Sequence, residues 1–312
     1  MHKFQANYSS ALMLKIAFSD IYKYCLPSGH RFPMEKYELL PEQLIYEGTI
    51  DSENFFTPGS LSDEQILLTH TGDYLHKLKT LSLSKKEERN IGFPVREDLI
   101  IRGRTISYGT YECALYALKY GVAMNIAGGT HHAYADRGEG FCIFNDMAIS
   151  SNLLLKAGTV SQILFVDLDV HQGNGNAFIF SDDPRVFTFS MHGEKNYPYR
   201  KESSDLDIGV PDRIEDEPYL KLLMETLPRL IQDVQPEIIF FQSGVDILST
   251  DKLGRLSVSR EGCRKRDKFV FNQAKLNNIP IVAVMGGGYS VNIKDIIEAH
   301  ANTFRSAQYI FF

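Results

Sequence analysis

ILFVDLDVHQGNG, residues 163–175, changes character midway along its length. Ile163, Leu164, Phe165 and Val166 form an unbroken apolar run, the pattern of a strand buried on both faces of a parallel sheet. Asp167, Asp169 and His171 then follow, with a turn expected over Gly173, Asn174 and Gly175. Charged groups directly after a buried strand are costly unless something pairs with them. In open α/β sheets the carboxyl end of a strand is where ligands sit. Asp169 and His171 are two apart, so an extended backbone would point both to one side, where oxygen and imidazole nitrogen could share a divalent cation. A strand-end Asp capping the next turn, beside a surface histidine, is the competing reading of this motif taken alone.

Leu14–Phe18, Val122–Ala127, Gln162–Leu168, Val186–Ser190, Glu237–Gln242 and Ile279–Met285 read as strands. Helical patterns lie between them, at Met34–Glu47, Leu61–Leu68, Asp73–Leu83, Glu97–Tyr120 (closed by Gly121), Asn145–Ala157, Glu215–Val234, Ser259–Asn277 and Ile293–Arg305. The charge run Lys85–Arg89 reads as a solvated helix end, and Met191–Asp212 as a long polar and aromatic loop. Strands alternating with helices predict an α/β fold, a mostly parallel central sheet between two helical layers. With no repeat or linker, residues 1–312 are expected to form one domain, residues 1–12 being a loose extension.

Four of these strands end in unusual chemistry. The first delivers His131 and His132 after Gly128-Gly129, and the second Asp169 and His171. The third delivers Asp246, and the fourth Tyr289 after three glycines. In a parallel sheet these ends share one edge, where Asp169, His171 and Asp246 would make a metal set with an open position. Each feature has an ordinary explanation: a polar loop, a helix N-cap at Asp246, a tight glycine turn, a packing tyrosine. Together those explanations require four coincidences. No Lys-Ser/Thr follows the glycines, which disfavours a phosphate loop.

Composition narrows the classes. Apolar residues at 44% and charged residues at 23% are ordinary for a globular protein. A net charge of −6 argues against a general nucleic-acid binder and is compatible with a cationic substrate such as a lysine side chain or polyamine. The four cysteines are far apart and form no CxxC pair. Neither a membrane span nor an uninterrupted signal-peptide core is found, so a cytoplasmic location is expected.

GGTHHAYADRGEGFCIFND (Gly128–Asp146), DLDVHQGNG (Asp167–Gly175), SGVDIL (Ser243–Leu248) and GGGYS (Gly286–Ser290) resemble the signature blocks of the zinc-dependent histone deacetylase family. GHRFPMEKY (Gly29–Tyr37) and HTGDYLHKL (His70–Leu78) resemble its amino-terminal blocks. The DRGEGFC wording and HQGNG are more similar to class IV and bacterial members than to class I. The resemblance implies an arginase-like α/β/α fold, with one zinc ion held by Asp169, His171 and Asp246. It makes His131 and His132 the catalytic pair, Tyr289 the catalytic tyrosine and Asp167 the partner of His131. Asn174 stands where class I enzymes carry an aspartate facing the second histidine, and an amide should leave His132 the less basic of the pair. Gly140 and Phe141 match one wall of an acyl-lysine tunnel, with Tyr197 opposite and Leu253 nearby. Ser190 and the backbone near Asp167 resemble a potassium site of relatives. A rim aspartate that class I members use to hold peptide backbone has no match.

The activity implied is hydrolysis of an N-acyl-lysine amide in a peptide or protein. Its rivals are an amidohydrolase for acetylpolyamines or similar acylated amines and an inactive acyl-lysine binder. An arginase-like manganese enzyme fits less well, because one Asp-His-Asp set suits a single metal.

Overall fold

The computed structural model describes residues 13–312, so the extension expected at residues 1–12 lies outside the described residues. Among the described residues eight strands form one sheet: β1 (Lys15–Ala17), β2 (Phe55–Phe56), β3 (Val122–Asn125), β4 (Ile163–Asp167), β5 (Val186–Gly193), β6 (Leu206–Val210), β7 (Ile238–Gln242) and β8 (Ile281–Val284). Their order is β2-β1-β3-β8-β7-β4-β5-β6, and every paired neighbour is parallel. The helices are α1 (Lys36–Tyr46), α2 (Asp63–Ile66), α3 (Gly72–Lys79), α4 (Lys85–Ile91), α5 (Glu97–Tyr120), α6 (Asp146–Lys156), α7 (Asn174–Phe180), α8 (Asp216–Val234), α9 (Arg260–Leu276) and α10 (Ile293–Phe311).

Alternation along the central strands divides the core in two. Leu164, Val166, Ile239, Phe241, Ile281 and Ala283 face the side where α8, α9 and α10 pack. Ile163, Phe165, Ile238, Phe240, Val282 and Val284 face the other side, against Ala114 and Ala117 of α5 and Met147 and Leu154 of α6. A parallel sheet buried on both faces needs apolar residues at every position, which is what the run at 163–166 supplies. The result is a three-layer α/β/α sandwich.

β3, β8, β7 and β4 occupy four consecutive places in the sheet, and these are the strands whose ends carry the unusual chemistry. Asn125 pairs with Val284, Val284 with Gln242, and Gln242 with Asp167, so the four strands finish level. Everything that follows them is delivered to one edge.

Several local expectations change. The charge run at 85–89 belongs to a separate helix, α4, closed at its start by a reciprocal Ser84–Glu87 capping box. The stretch read as a 191–212 loop contains the end of β5 and β6, an edge strand of five residues in which Leu206 and Ile208 are only half-buried. The turn expected at 173–175 is the entry to α7. Helix α10 continues six residues beyond the Arg305 boundary, to Phe311, because Ala307 and Phe311 still face the core.

Candidate active site

The edge begins with the loop after β3. Asp146, buried at the start of α6, accepts from Gly129 N (3.1 Å), Thr130 N (2.7 Å), Thr130 Oγ1 (2.6 Å) and Thr110 Oγ1 (2.7 Å). One carboxylate thus fixes the backbone that presents His131 and His132. Gly128 and Gly129 both take positive φ, +77° and +73°, a left-handed bend that side chains with a Cβ resist.

β4 ends at Asp167, so Asp169 and His171 lie in a bend rather than in the extended backbone expected for them. They still converge. His171 N donates to Asp169 Oδ1 at 3.0 Å, and His171 Nδ1 lies 3.0 Å from the same oxygen and 3.1 Å from Asp246 Oδ2. Val170 N donates to Asp246 Oδ1 (2.9 Å), and Gly287 N to Asp169 Oδ2 (2.8 Å), which joins the ends of β4, β7 and β8. A Cβ on Gly287 would fall on Asp246 Oδ2, so the glycine run allows the carboxylates this close approach. Beneath them Arg266 of α9, fully buried and paired with Asp267, donates to the carbonyls of Leu168 (3.1 Å), Ser243 (3.2 Å) and Gly244 (2.6 Å).

Asp169, His171 and Asp246 are buried, and their ligand atoms lie within 4.8 Å of one another. Burial and the neighbouring Asp169 push Asp246 up to about 7. Against burial, hydrogen bonds with the two carboxylates push His171 up to about 10. Two buried carboxylates around one imidazole are a site short of positive charge, and a divalent cation supplies it. The residues fit a metal.

The histidine pair is differentiated. His131 Nδ1 lies 2.7 Å from Asp167 Oδ2, and His132 Nδ1 lies 2.6 Å from Asn174 Oδ1. Asn174 Nδ2 donates to Tyr134 Oη (3.0 Å), which orients the amide with its oxygen toward the imidazole. Nδ1 of His132 must then carry the proton, leaving Nε2 with a free lone pair. Despite burial, Asp167 holds the His131 pKa above its ordinary value. Burial, followed by the positive potential of His131 and His171, drives that of His132 well below its own.

Tyr289 completes the arrangement, its ring 6.3 Å from that of His171 and its N–H donating to Asp251 Oδ2 at 2.6 Å. Burial and the nearby Asp169 and Asp246 raise its hydroxyl far above the ordinary value, so it stays protonated and able to donate. Above it lies a cavity of about 650 Å³, whose lining includes His132, Gly140, Phe141, His171, Tyr197, Leu253 and Tyr289. A smaller chamber of about 40 Å³ beneath is lined by both histidines, Asp169, His171 and Tyr289. Phe141 takes φ +70°, rare for a non-glycine residue, and Tyr197, which lines the same cavity, donates to Glu139 Oε2 at 2.7 Å. Ser190 sits beside Asp167 on the neighbouring strand and is hydrogen-bonded to His192 Nδ1 at 3.0 Å.

The structure therefore brings His131, His132, Gly140, Phe141, Asp169, His171, Tyr197, Leu253 and Tyr289 to the walls of the cavity and its chamber, while Asp167, Asn174 and Asp246 stand behind them as hydrogen-bond partners and Ser190 lies outside the lining. It adds Lys36, Tyr134, Asp146, Asp251 and Arg266. Asp251 follows Asp246 by five residues and Asp146 ends a motif block, so both were within reach of the sequence. Lys36 is wholly buried, with Nζ 3.2 Å from the Gly286 carbonyl and 5.8 Å from the Tyr289 ring centroid.

A family model described as "Histone deacetylase domain" matches residues 30–304. The chain belongs to the histone deacetylase family. It is 41% identical over 92% of its length to an uncharacterised protein of Picosynechococcus sp., of which it covers 95%. It is 32% identical to histone deacetylase 2 of Arabidopsis thaliana, over 83% of this chain and 70% of that protein. With human histone deacetylase 1 the identity is 28%, over 87% of this chain and 60% of the relative. Among solved structures, an HDAC homologue complexed with SAHA superposes with a TM-score of 0.81 at 25% identity, covering 95% of this chain and 84% of that one. An HDAC homologue from Aquifex aeolicus shares the fold equally well (TM-score 0.81, 24% identity, the same coverages). Membership in the histone deacetylase family implies a hydrolase with a metal cofactor, for which the buried Asp-His-Asp group is suited.

Proposed function

We propose that this protein is a zinc-dependent hydrolase that removes acyl groups, acetyl or longer, from N-acyl-lysine side chains. The observation that carries the reading is the convergence, below one cavity, of the Asp169-His171-Asp246 group, a differentiated histidine pair and a protonated tyrosine. Zinc suits a set of one imidazole and two carboxylates, and when bound it supplies Lewis acidity to the carbonyl and acidity to a water.

The chain's own groups do the rest. Phe141 and Tyr197 flank the aliphatic part of the acyl-lysine and exclude water from it. His132 Nε2 takes the proton of the attacking water and returns it to the departing amine. Tyr289 Oη donates to the carbonyl oxygen, a bond that strengthens as negative charge develops there. His131, held by Asp167, keeps positive charge beside the reacting centre. We assign a structural potassium ion to the neighbourhood of Asp167 and Ser190.

Among the described residues no helix is long and apolar enough to cross a membrane, and all four cysteines are free. We place the protein in the cytoplasm as one catalytic domain, among the bacterial and class IV-type members, and expect no nucleic-acid partner. The 41% identity to the Picosynechococcus protein supports the bacterial placement.

The test is acetate release by zinc-loaded protein from acetyl-lysine peptides, with long-chain acyl-lysine peptides and acetylpolyamines in parallel. Turnover of either peptide that a chelator abolishes is the expected result. Turnover of polyamines alone would move the reading to a small-molecule amidohydrolase, and bound zinc with no turnover to an acyl-lysine binder.

A further inference from the structure

The cavity mouth carries charge opposite to that of the molecule. The chain has a net charge of −6, yet the cavity lining includes four cations, Arg31, Arg89, Lys195 and Arg255, against one carboxylate, Glu139. Glu139 is already engaged, accepting from Tyr197 Oη at 2.7 Å and from Arg137 Nε at 3.0 Å. All four cations are exposed. Arg255 has an acidic neighbour, Asp212, at 3.5 Å, whereas among the described residues Arg31, Arg89 and Lys195 form no ion pair.

Their origins differ. Arg31 lies over the Phe141 ring, 5.0 Å from its centroid, so its charge sits on the tunnel wall itself. Arg89 is tethered near the end of α4 by its Nε donating to the Lys85 carbonyl at 3.2 Å. Lys195 follows β5, and Arg255 stands two residues after Leu253. Four separate segments of an acidic protein each place a cation at one opening. Such a ring draws anions toward the mouth and repels cations, through a field that salt screens.

We propose that this cationic collar makes the substrate an acidic one, an acyl-lysine flanked by aspartate or glutamate in a peptide or protein. The proposal rests on the N-acyl-lysine reading above and narrows it. Acetylpolyamines and lysine-rich tails, being cationic, are disfavoured by the same field.

The test uses zinc-loaded full-length protein and three peptides of equal length, each with a central acetyl-lysine flanked by Glu, Gln or Lys. At low ionic strength kcat/KM is expected to favour the Glu-flanked over the Lys-flanked peptide by about tenfold, expressed in KM. The ratio should shrink toward one at about 1 M salt, where the Debye length is roughly 3 Å. In the R89Q/K195Q/R255Q variant it should approach one at low salt as well. A wild-type ratio of one or below, or a preference unchanged in the variant, would overturn the collar. If none of the peptides is turned over, the N-acyl-lysine reading fails separately, and anisotropy of labelled Glu- and Lys-flanked peptides decides the charge preference. Tighter binding of a single-stranded oligonucleotide of equal charge would replace the acidic peptide with nucleic acid and overturn the proposal.

Discussion

Asn174 sets the protonation of His132 by what it cannot do. Its amide oxygen accepts the Nδ1 proton at 2.6 Å but carries no charge to stabilise an imidazolium. Asn174→Asp supplies that charge, so the His132 pKa rises and the neutral base is lost at a higher pH. The acid limb of the kcat/KM profile should move upward in pH, with reduced rate near neutrality; an unmoved limb would remove His132 as the base. Tyr289→Phe takes away one donor to the oxyanion. We expect a loss of about a hundredfold to a thousandfold in kcat with zinc content unchanged, read by turnover and metal analysis together. At this scale the sequence is unusually legible, because Asp169, His171, Asp246 and Tyr289 each follow an apolar run or a glycine turn. Tyr134, which orients the Asn174 amide, was not legible, since its role depends on an approach across 40 residues.

Helix α9 shows what an element contributes from behind the site. Its amino-terminal half, REGCRKRDK, is dense in charge, yet Arg266 and Asp267 are fully buried. Arg266 ties together the carbonyls that follow β4 and β7, and Asp267 is anchored by Thr303 Oγ1 of α10 at 2.7 Å. Arg266→Met leaves Asp267 buried and unpaired, and should destabilise the fold by about 3–5 kcal/mol in urea unfolding. Arg266→Met with Asp267→Leu should recover part of that loss while zinc affinity stays weakened, because the strand-end carbonyls lose their donor. Full recovery of affinity would show that Arg266 has no part in shaping the site. Helix α5 was legible to the residue, since Gly121, at φ +90°, ends it. The edge strand β6 was not, because its alternation, Leu206-Asp207-Ile208-Gly209-Val210, is confined to five residues within a long polar stretch.

For the whole molecule, sequence periodicity predicts parallel strands and helical layers but not strand order, which is set by pairing between distant segments. The consecutive placement of β3, β8, β7 and β4 turns four separate motifs into one site. Long-range packing also creates buried groups that tie stability to pH. His70 accepts from Asn145 N at 3.0 Å, and burial pushes its pKa down to about 4 from an ordinary 6.5. Between those values the unfolded chain binds the proton and the folded one does not, so stability rises with pH across the window and falls on acidification. The full interval corresponds to about 3 kcal/mol. The unfolding free energy of the metal-free protein, read from urea titrations, should drop more steeply between pH 6.5 and 4 than that of His70→Gln, by about that amount. Equal slopes would show that His70 is not the titrating group.

In the proposed function, Asp169, His171 and Asp246 hold the ion on which hydrolysis depends. Titrating metal-stripped protein with zinc, while following acetate release from an acetyl-lysine peptide, tests it most directly. Activity should rise to a plateau at one zinc per chain and be absent at every zinc level in folded Asp246→Ala. Turnover by the stripped protein, or a folded Asp246→Ala variant that zinc restores to full activity, would contradict it.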